Sequence, residues 1–165
     1  AVLGSGDPQL ENAFRAAALA DKCQELVSFL TDILGWTDID ANWKGKIAYH
    51  DSCSSLRELG VKEQPRALLS KVRGLTMTEL DAPEVCCGFG GTFCVKYAEV
   101  SGAMVDRKVD DIMDTGAKTV LGGDLGCLMN IAGCLARRGE AVEARHIAEV
   151  LAEHTDAQPI GGDKA

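Results

Sequence analysis

The stretch KTVLGGDLGC, residues 118–127, joins a short apolar run to a glycine-rich turn and ends on a cysteine. Residues 118–123 have the length and apolar character of a short strand, and GGDLG, residues 122–126, is typical of a turn. A helix fits the residues that follow, 125–137. A strand that leads through a tight turn into a helix is the repeating unit of α/β folds.

The same pattern occurs twice earlier in the chain. Short strands are predicted for KIAYHD, residues 46–51, and LTMTEL, residues 75–80. The other predicted helices cover residues 9–34 (as one or two helices), 62–72, 95–115 and 146–154. Alternation of strands and helices predicts an α/β fold in which helices flank a small parallel sheet.

Cysteines follow the predicted strands. Cys53 comes after the first strand, Cys86 and Cys87 after the second, and Cys127 after the third. The carboxyl ends of parallel strands share one edge of the sheet, where open α/β folds usually bind ligands. Helix N-termini also point there, and their partial positive charge favours thiolates. The sequence therefore predicts a thiolate-rich site at this edge.

The segment VCCGFGGTFC, residues 85–94, requires a turn, because adjacent side chains on a regular strand point to opposite faces. Gly88, Gly90 and Gly91 permit that turn, and they leave backbone N–H groups free to approach sulfur. These glycines are therefore predicted to contribute to cofactor binding. The competing interpretation is a tight turn whose thiols are buried incidentally.

Seven cysteines, an odd number, argue against a disulfide framework and favour metal binding or redox chemistry. The chain has no CxxC pair of the kind that structural zinc sites use, so iron–sulfur binding is favoured and zinc remains an alternative. Cys23 is predicted to lie on the buried stripe of a helix, and Cys134 is also predicted to be core. Asp51 and Asp124 are predicted to cap the helices that follow them.

The composition limits the class of protein. The chain has 165 residues, of which 46% are hydrophobic and 25% charged, so one globular domain is expected, with a flexible lead-in over residues 1–9 and a tail over 155–165. A net charge of −8 argues against nucleic acid as a partner. No stretch approaches the roughly 18 apolar residues of a membrane span, and no signal peptide is recognisable. A cytoplasmic location is expected.

Four segments together resemble a known family. They are YHDSCSSLRELG (49–60), CCGFGGTFCVKY (86–97), GGDLGCLMNIAG (122–133) and HIAEVL (146–151). They look like the cysteine-rich CCG domain of the lactate-utilisation and glycolate-oxidase iron–sulfur subunits, a domain shared more distantly with heterodisulfide reductase. The resemblance covers roughly residues 20–152 and implies a [4Fe-4S]-type cluster, for which the noncubane form is one option. Its ligand positions match Cys53, Cys86, Cys87 and Cys127.

The chain departs from the family pattern at two positions. Asn130 stands where the heterodisulfide reductase form completes a CxxC pair, and Cys94 stands where the lactate-type proteins have a small hydroxyl residue. Cys94 is either a substitute ligand or a spare thiol. His50, three residues before Cys53, either donates a hydrogen bond to a ligating sulfur or is structural.

The resemblance implies an electron-transfer domain of a multisubunit 2-hydroxy-acid oxidoreductase whose partners are the other subunits. The family usually carries two such domains, so residues 10–154 are expected to be the C-terminal domain of a longer subunit. Two alternatives remain open. One is a catalytic thiol–disulfide site on the cluster, and the other is a zinc-stabilised structural or interaction module without turnover.

Overall fold

Four parallel strands form the centre of the fold. The computed structural model describes residues 8–36 and 38–162. The strands are β1 (Asn42–His50), β2 (Arg73–Thr78), β3 (Thr119–Gly122) and β4 (Glu143–His146), in the spatial order β2-β1-β3-β4. Helices flank this sheet, which confirms the predicted α/β fold. The strand β4 was not predicted, because its sequence EARH has no apolar alternation.

The helical segments connect these strands. In chain order they are α1 (Pro8–Ala20), α2 (Leu26–Ser28) with a π-helical turn (Phe29–Ile33), a second π-helical turn (Ser54–Glu58), α3 (Glu63–Leu69), α4 (Thr92–Lys96), α5 (Ala98–Asp114), α6 (Leu125–Arg138) and α7 (Ile147–Leu151). The single helix predicted over residues 95–115 is divided at Tyr97, whose φ of −128° and ψ of 53° are not helical. A break of one residue barely disturbs an apolar pattern, so the sequence does not reveal it.

The sheet buries both faces. Along β1, Ala48 packs in a core with residues of α5 and α6, whereas Ile47 and Tyr49 pack in a second core with residues of α3 and α7. This alternation is the two-residue period of a strand, and it places one layer of helices on each face. Cys134 is buried in the first core, as predicted.

The prediction for Cys23 is wrong. Its side chain is exposed, because α1 ends at Ala20 and α2 begins only at Leu26, so Cys23 lies in the connecting turn. Of the predicted buried stripe, Val27 is buried, while Ile33 and Leu34 are exposed. An apolar spacing that spans two helices does not define a common face.

The order of the strands creates a topological switch point. From β1 the chain passes to β2 on one side, and later elements, β3 and β4, lie on the other side. The connections therefore diverge between the carboxyl ends of β1 and β3, where His50 is in register with Gly122. Such a switch point is where open α/β sheets bind their ligands.

The predicted lead-in and tail lie partly outside the described residues, since residues 1–7 and 163–165 are not among them. Within the predicted lead-in, α1 begins at Pro8. In the predicted tail, Ile160 forms an antiparallel bridge with Ala144 and packs against the first core. Within residues 8–36 and 38–162, none of the helices has the length and apolar character to cross a membrane.

Candidate metal centre

The CCG loop, defined here as residues 79–91 between β2 and α4, carries Cys86 and Cys87. Gly88, Gly90 and Gly91 have φ of 80°, 51° and 59°, a region that L side chains rarely adopt. Gly88 also lies against α5, where an added Cβ would be 2.6 Å from the carbonyl oxygen of Ser101. The loop can therefore turn back over the sheet edge only with glycine at these positions.

Three buried side chains converge at the switch point. His50 ends β1, Cys87 lies in the CCG loop and Cys127 is in the first turn of α6. One ring nitrogen of His50 and the two Sγ atoms all lie within 4.8 Å of one another. A His/Cys/Cys group of this size could bind a metal ion.

Cys53 and Cys86 lie beside this group. Burial is the largest cause of the raised pKa of Cys86, and the negative charge of Cys87 and a hydrogen bond to Cys53 act in the same direction. Cys53 also acts electrostatically on Cys127. The structure therefore brings together all four cysteines that the family resemblance implied as ligands. Their role as ligands remains a prediction.

The thiols of Cys87 and Cys127 share a proton unequally. A hydrogen bond donated by Cys127 lowers the pKa of Cys87 to about 4, with smaller contributions from His50 and the backbone N–H of Phe89. The same hydrogen bond, together with burial, raises the pKa of Cys127. This hydrogen bond therefore favours the thiolate form of Cys87, which is the form that binds metals.

Backbone N–H groups face the site, as the glycine-rich sequence predicted. The N–H of Gly88 donates to Sγ of Cys86 at 3.4 Å, and the N–H of Phe89 donates to Cys87. The ring of Phe89 packs on the first turn of α6, where an added Cβ on Gly126 would be 2.4 Å from it. Gly126 therefore lets the loop and α6 approach each other closely.

His50 has no conventional hydrogen-bond partner. Its side chain is 1% exposed, and within the described part of the chain neither ring nitrogen has a partner at hydrogen-bonding geometry. The Sγ atoms of Cys87 and Cys127 lie within 4.8 Å of one of its ring nitrogens, and the ring contributes to the lowered pKa of Cys87. Buried imidazoles without a partner are rare, so this residue requires an explanation.

Side chains of α5 and α6 hold the CCG loop in place through hydrogen bonds to its carbonyl oxygens. Ser101 Oγ donates to the carbonyl oxygen of Gly88 at 2.8 Å, and Asn130 Nδ2 donates to that of Cys87 at 2.8 Å. Lys108, which is fully buried, donates from Nζ to the carbonyl oxygen of Ala82 at 2.7 Å. None of these roles was predicted from the sequence. The available signal is Lys108, a charged residue on the apolar face of α5.

Asp124 and Asp51 differ from each other in role. Asp124 caps α6, as predicted, by accepting the N–H of Cys127 at 2.9 Å. The prediction that Asp51 caps the following helical segment is wrong, because its buried carboxylate accepts both terminal nitrogens of Arg66, at 3.0 and 2.8 Å. Arg66 also binds Glu79, so it joins the carboxyl ends of β1 and β2 beside the site.

Cys94 lies apart from the His/Cys/Cys group. It is half-buried in α4, and its thiol donates to the carbonyl oxygen of Gly91 at 3.0 Å. Asn130, which stands where a CxxC pair would have its second cysteine, instead supports the CCG loop through its hydrogen bond to the carbonyl oxygen of Cys87. Ligation by Cys94 remains a prediction.

Known families and curated proteins include clear relatives of this chain. The cysteine-rich domain CCG matches residues 47–132, just over half of the chain. "Lactate utilization protein A" of Bacillus cytotoxicus is 52% identical over 139 residues, which cover 84% of this chain and 58% of the relative. The protein of the same name from Oceanobacillus iheyensis is 46% identical over 151 residues, covering 92% of this chain and 61% of the relative.

A third protein named "Lactate utilization protein A", from Bacillus subtilis, is 50% identical over 139 residues and covers 84% of this chain and 58% of the relative. The chain thus spans about three fifths of the length of these relatives. The matched region contains His50 and the four converging cysteines. By these matches and by its converging thiols, the chain belongs to the cysteine-rich CCG domain family.

Proposed function

We propose that this chain is the iron–sulfur electron-transfer domain of a multisubunit oxidoreductase that acts on a 2-hydroxy acid, lactate or glycolate. The observation that carries the proposal is the group of His50, Cys87 and Cys127 at the switch point of the sheet, with Cys53 and Cys86 near enough to influence the pKa values of these thiols and of each other. The name of the relatives supports lactate utilisation.

The residues present fit a [4Fe-4S]-type cluster. Four thiols can ligate iron, and the N–H groups of Gly88 and Phe89 already point at sulfur atoms. The pocket also holds the unpartnered imidazole of His50, which a bound group would satisfy. Such a cluster supplies one-electron transfer when bound, in cubane or noncubane form.

The chain's own residues would prepare the site for that role. The pKa of Cys87 lies near 4, so its sulfur needs no deprotonation at neutral pH, whereas Cys127 must release a proton when it ligates iron. Burial of Cys87 and Cys127 keeps water away from the site. Donation of backbone N–H groups to sulfur raises the reduction potential by stabilising negative charge.

Two alternatives predict different behaviour. A heterodisulfide-reductase-like site would need additional thiol chemistry, but Asn130 occupies the second CxxC position and is bonded to the carbonyl oxygen of Cys87. A zinc-stabilised module is favoured by the small His/Cys/Cys group. Metal content separates zinc from iron directly.

The test is reconstitution of the chain without oxygen, followed by iron, sulfide and zinc analysis and by absorption and EPR spectra. We expect iron and sulfide with broad visible absorption. Replacing Cys53, Cys86, Cys87 or Cys127 by serine should each reduce the cluster content. Cys23→Ala and Cys134→Ala are the controls, and both variants should retain the cluster. Cys23→Ala should change the stability little, because Cys23 is exposed. Cys134→Ala should lower the free energy of unfolding by about 1 kcal/mol or more, because Cys134 is buried in the core.

Stoichiometric zinc without iron under the same handling would contradict the proposal. A second assay separates the relay from catalysis on the organic acid. The cluster-loaded chain should not oxidise lactate or glycolate with an artificial acceptor, while the assembled complex should do so. Turnover by the chain alone would instead make it the catalytic component.

A further inference from the structure

We infer that His50 is itself a ligand of the metal centre, bound through a ring nitrogen together with Cys87 and Cys127. This inference rests on the proposed function, because it names a ligand of the same site. It differs from a role in which His50 only donates a hydrogen bond to a ligating sulfur.

The first observation is that the imidazole is buried without a partner. A histidine that serves packing or structure normally finds a hydrogen bond for each buried nitrogen, and an unsatisfied one costs free energy of folding. His50 is 1% exposed, and among the described residues neither ring nitrogen meets a partner at full hydrogen-bonding geometry, although the ring interacts with the Cys87 sulfur and lowers the pKa of that thiol. Its place in the fold therefore carries a cost that a metal bond would offset.

The second observation is the position of the ring. His50 is the last residue of β1 and is in register with Gly122, so it projects at the switch point itself. One of its nitrogens lies within 4.8 Å of the Sγ atoms of both Cys87 and Cys127. Ligand atoms at these separations can share one metal ion, because bonds of about 2.0–2.3 Å from a common centre span them. A single cobalt(II) ion would probe this arrangement directly, whereas in a [4Fe-4S] cluster the ligands would bind separate irons.

The third observation concerns Asn130. Asn130 lies three residues after Cys127, and its amide donates to the carbonyl oxygen of Cys87, so it supplies no thiolate to the site. His50 supplies an additional ligand atom from the end of β1 instead. An imidazole is neutral, so it adds a bond without adding negative charge to a chain whose net charge is already −8. Replacement of thiolate by imidazole raises the potential of iron–sulfur centres, and the same direction is expected here.

The test has two arms, one with cobalt(II) and one with the iron–sulfur cluster. Cobalt(II) titration of the apo protein, followed by its visible spectrum, reports ligand number and type without requiring a cluster. His50→Gln and His50→Leu should weaken cobalt binding by more than about 100-fold, above the roughly 10–100-fold effect of losing a group that only hydrogen-bonds a ligand. His154→Gln, at an exposed histidine, is the matched control and should bind as the parent does.

The second arm is pulsed EPR of the reduced, cluster-loaded chain grown with ¹⁵N-histidine. Strong nitrogen hyperfine coupling that persists in His154→Gln and disappears in His50→Gln would support ligation. A normal iron and sulfide content without that coupling would overturn it and leave the proposed function standing. A chain that takes up no iron would overturn the proposed function, and the cobalt arm would then decide on His50.

The stability of the apo protein provides an independent readout. If His50 is retained for metal binding, His50→Leu should leave the melting temperature of the apo protein unchanged or raise it, because a buried, unpartnered polar group is removed. A large fall in the melting temperature of both His50 variants, with cobalt affinity unchanged, would show a structural role and overturn the inference.

Discussion

Replacement of Gly88 by alanine tests how closely the CCG loop is fitted to α5. The residue has a φ of 80°, and an added Cβ would be 2.6 Å from the carbonyl oxygen of Ser101 and 3.0 Å from Cβ of Met104. The nearest atom belongs to the backbone of a helix, so it cannot rotate away as a side chain would. The loop, or the helix, must shift.

The expected cost has three parts. The left-handed backbone conformation costs a residue with a Cβ about 1–2 kcal/mol, and overpacking costs about 1–3 kcal/mol. A shift of the loop also weakens the 2.8 Å hydrogen bond from Ser101 Oγ to the carbonyl oxygen of Gly88, which is worth about 1 kcal/mol. Gly88→Ala should therefore lower the free energy of unfolding by about 3–6 kcal/mol.

Gly139→Ala is the matched control. Gly139 ends α6 with a φ of 68° and a ψ of 25°, and an added Cβ would meet nothing within 4 Å. Only the backbone cost of about 1–2 kcal/mol applies there. The assay is urea denaturation of the reduced apo proteins, and with a slope of about 1–3 kcal/mol per molar the two midpoints should differ by about 1 M. Equal midpoints would refute the close fit of loop and helix.

Two further predictions concern the charged groups at the sheet edge. Arg66→Met should destabilise the protein by about 3–5 kcal/mol in thermal or urea unfolding, since it leaves the buried Asp51 carboxylate unpaired. Glu79→Gln changes a half-exposed partner of Arg66 and should lower the free energy of unfolding by less than about 1 kcal/mol. The pKa of Cys87 near 4 predicts that the folded apo protein absorbs at about 240 nm near neutral pH, because the thiolate absorbs there. Cys87→Ser should remove this absorption band. If the parent protein lacks the band, the proposed proton sharing between Cys87 and Cys127 is contradicted.

The pH dependence of that thiolate follows from the sign of the shift. The pKa of Cys87 is lower in the folded protein than in the unfolded chain, so folding is favoured by this group above its unfolded pKa, and that contribution is lost as the pH falls through about 4. Cys127 acts in the opposite direction, because its raised pKa favours the folded state below its ordinary value. Between about pH 4 and the raised pKa of Cys127, the two thiols together keep one proton.

Much of the architecture could be predicted from the sequence, because the first three strands have distinct apolar runs and are followed by turns and helices. The strand β4 could not, since its sequence is polar and Arg145 is buried there by ion pairs with Glu143 and Glu149. Such pairing depends on the folded arrangement. The exposure of Cys23 was missed for a related reason, because apolar spacing does not show where one helix ends and another begins.

The general place of the site could be predicted, because the carboxyl ends of parallel strands share one edge. Its internal arrangement could not. The charge of Lys108 on the apolar face of α5 marks one unusual position, but the sequence does not show that Ser101, Lys108 and Asn130 each donate to a carbonyl oxygen of the CCG loop. These contacts join positions that are 13, 26 and 43 residues apart, so only the folded chain brings them together.

Those three contacts also bear on the charge of the site. The carbonyl oxygens of Gly88 and Cys87 accept hydrogen bonds from α5 and α6, while the N–H groups of Gly88 and Phe89 donate to cysteine sulfur atoms. Lys108 adds a buried positive charge behind the loop: burial lowers its pKa, and the negative charges of Asp111 and Cys87 oppose that effect. A site that gathers thiolates in an acidic protein requires such compensation. Lys108, which binds the loop through the carbonyl oxygen of Ala82, therefore also offsets part of the negative charge of the site.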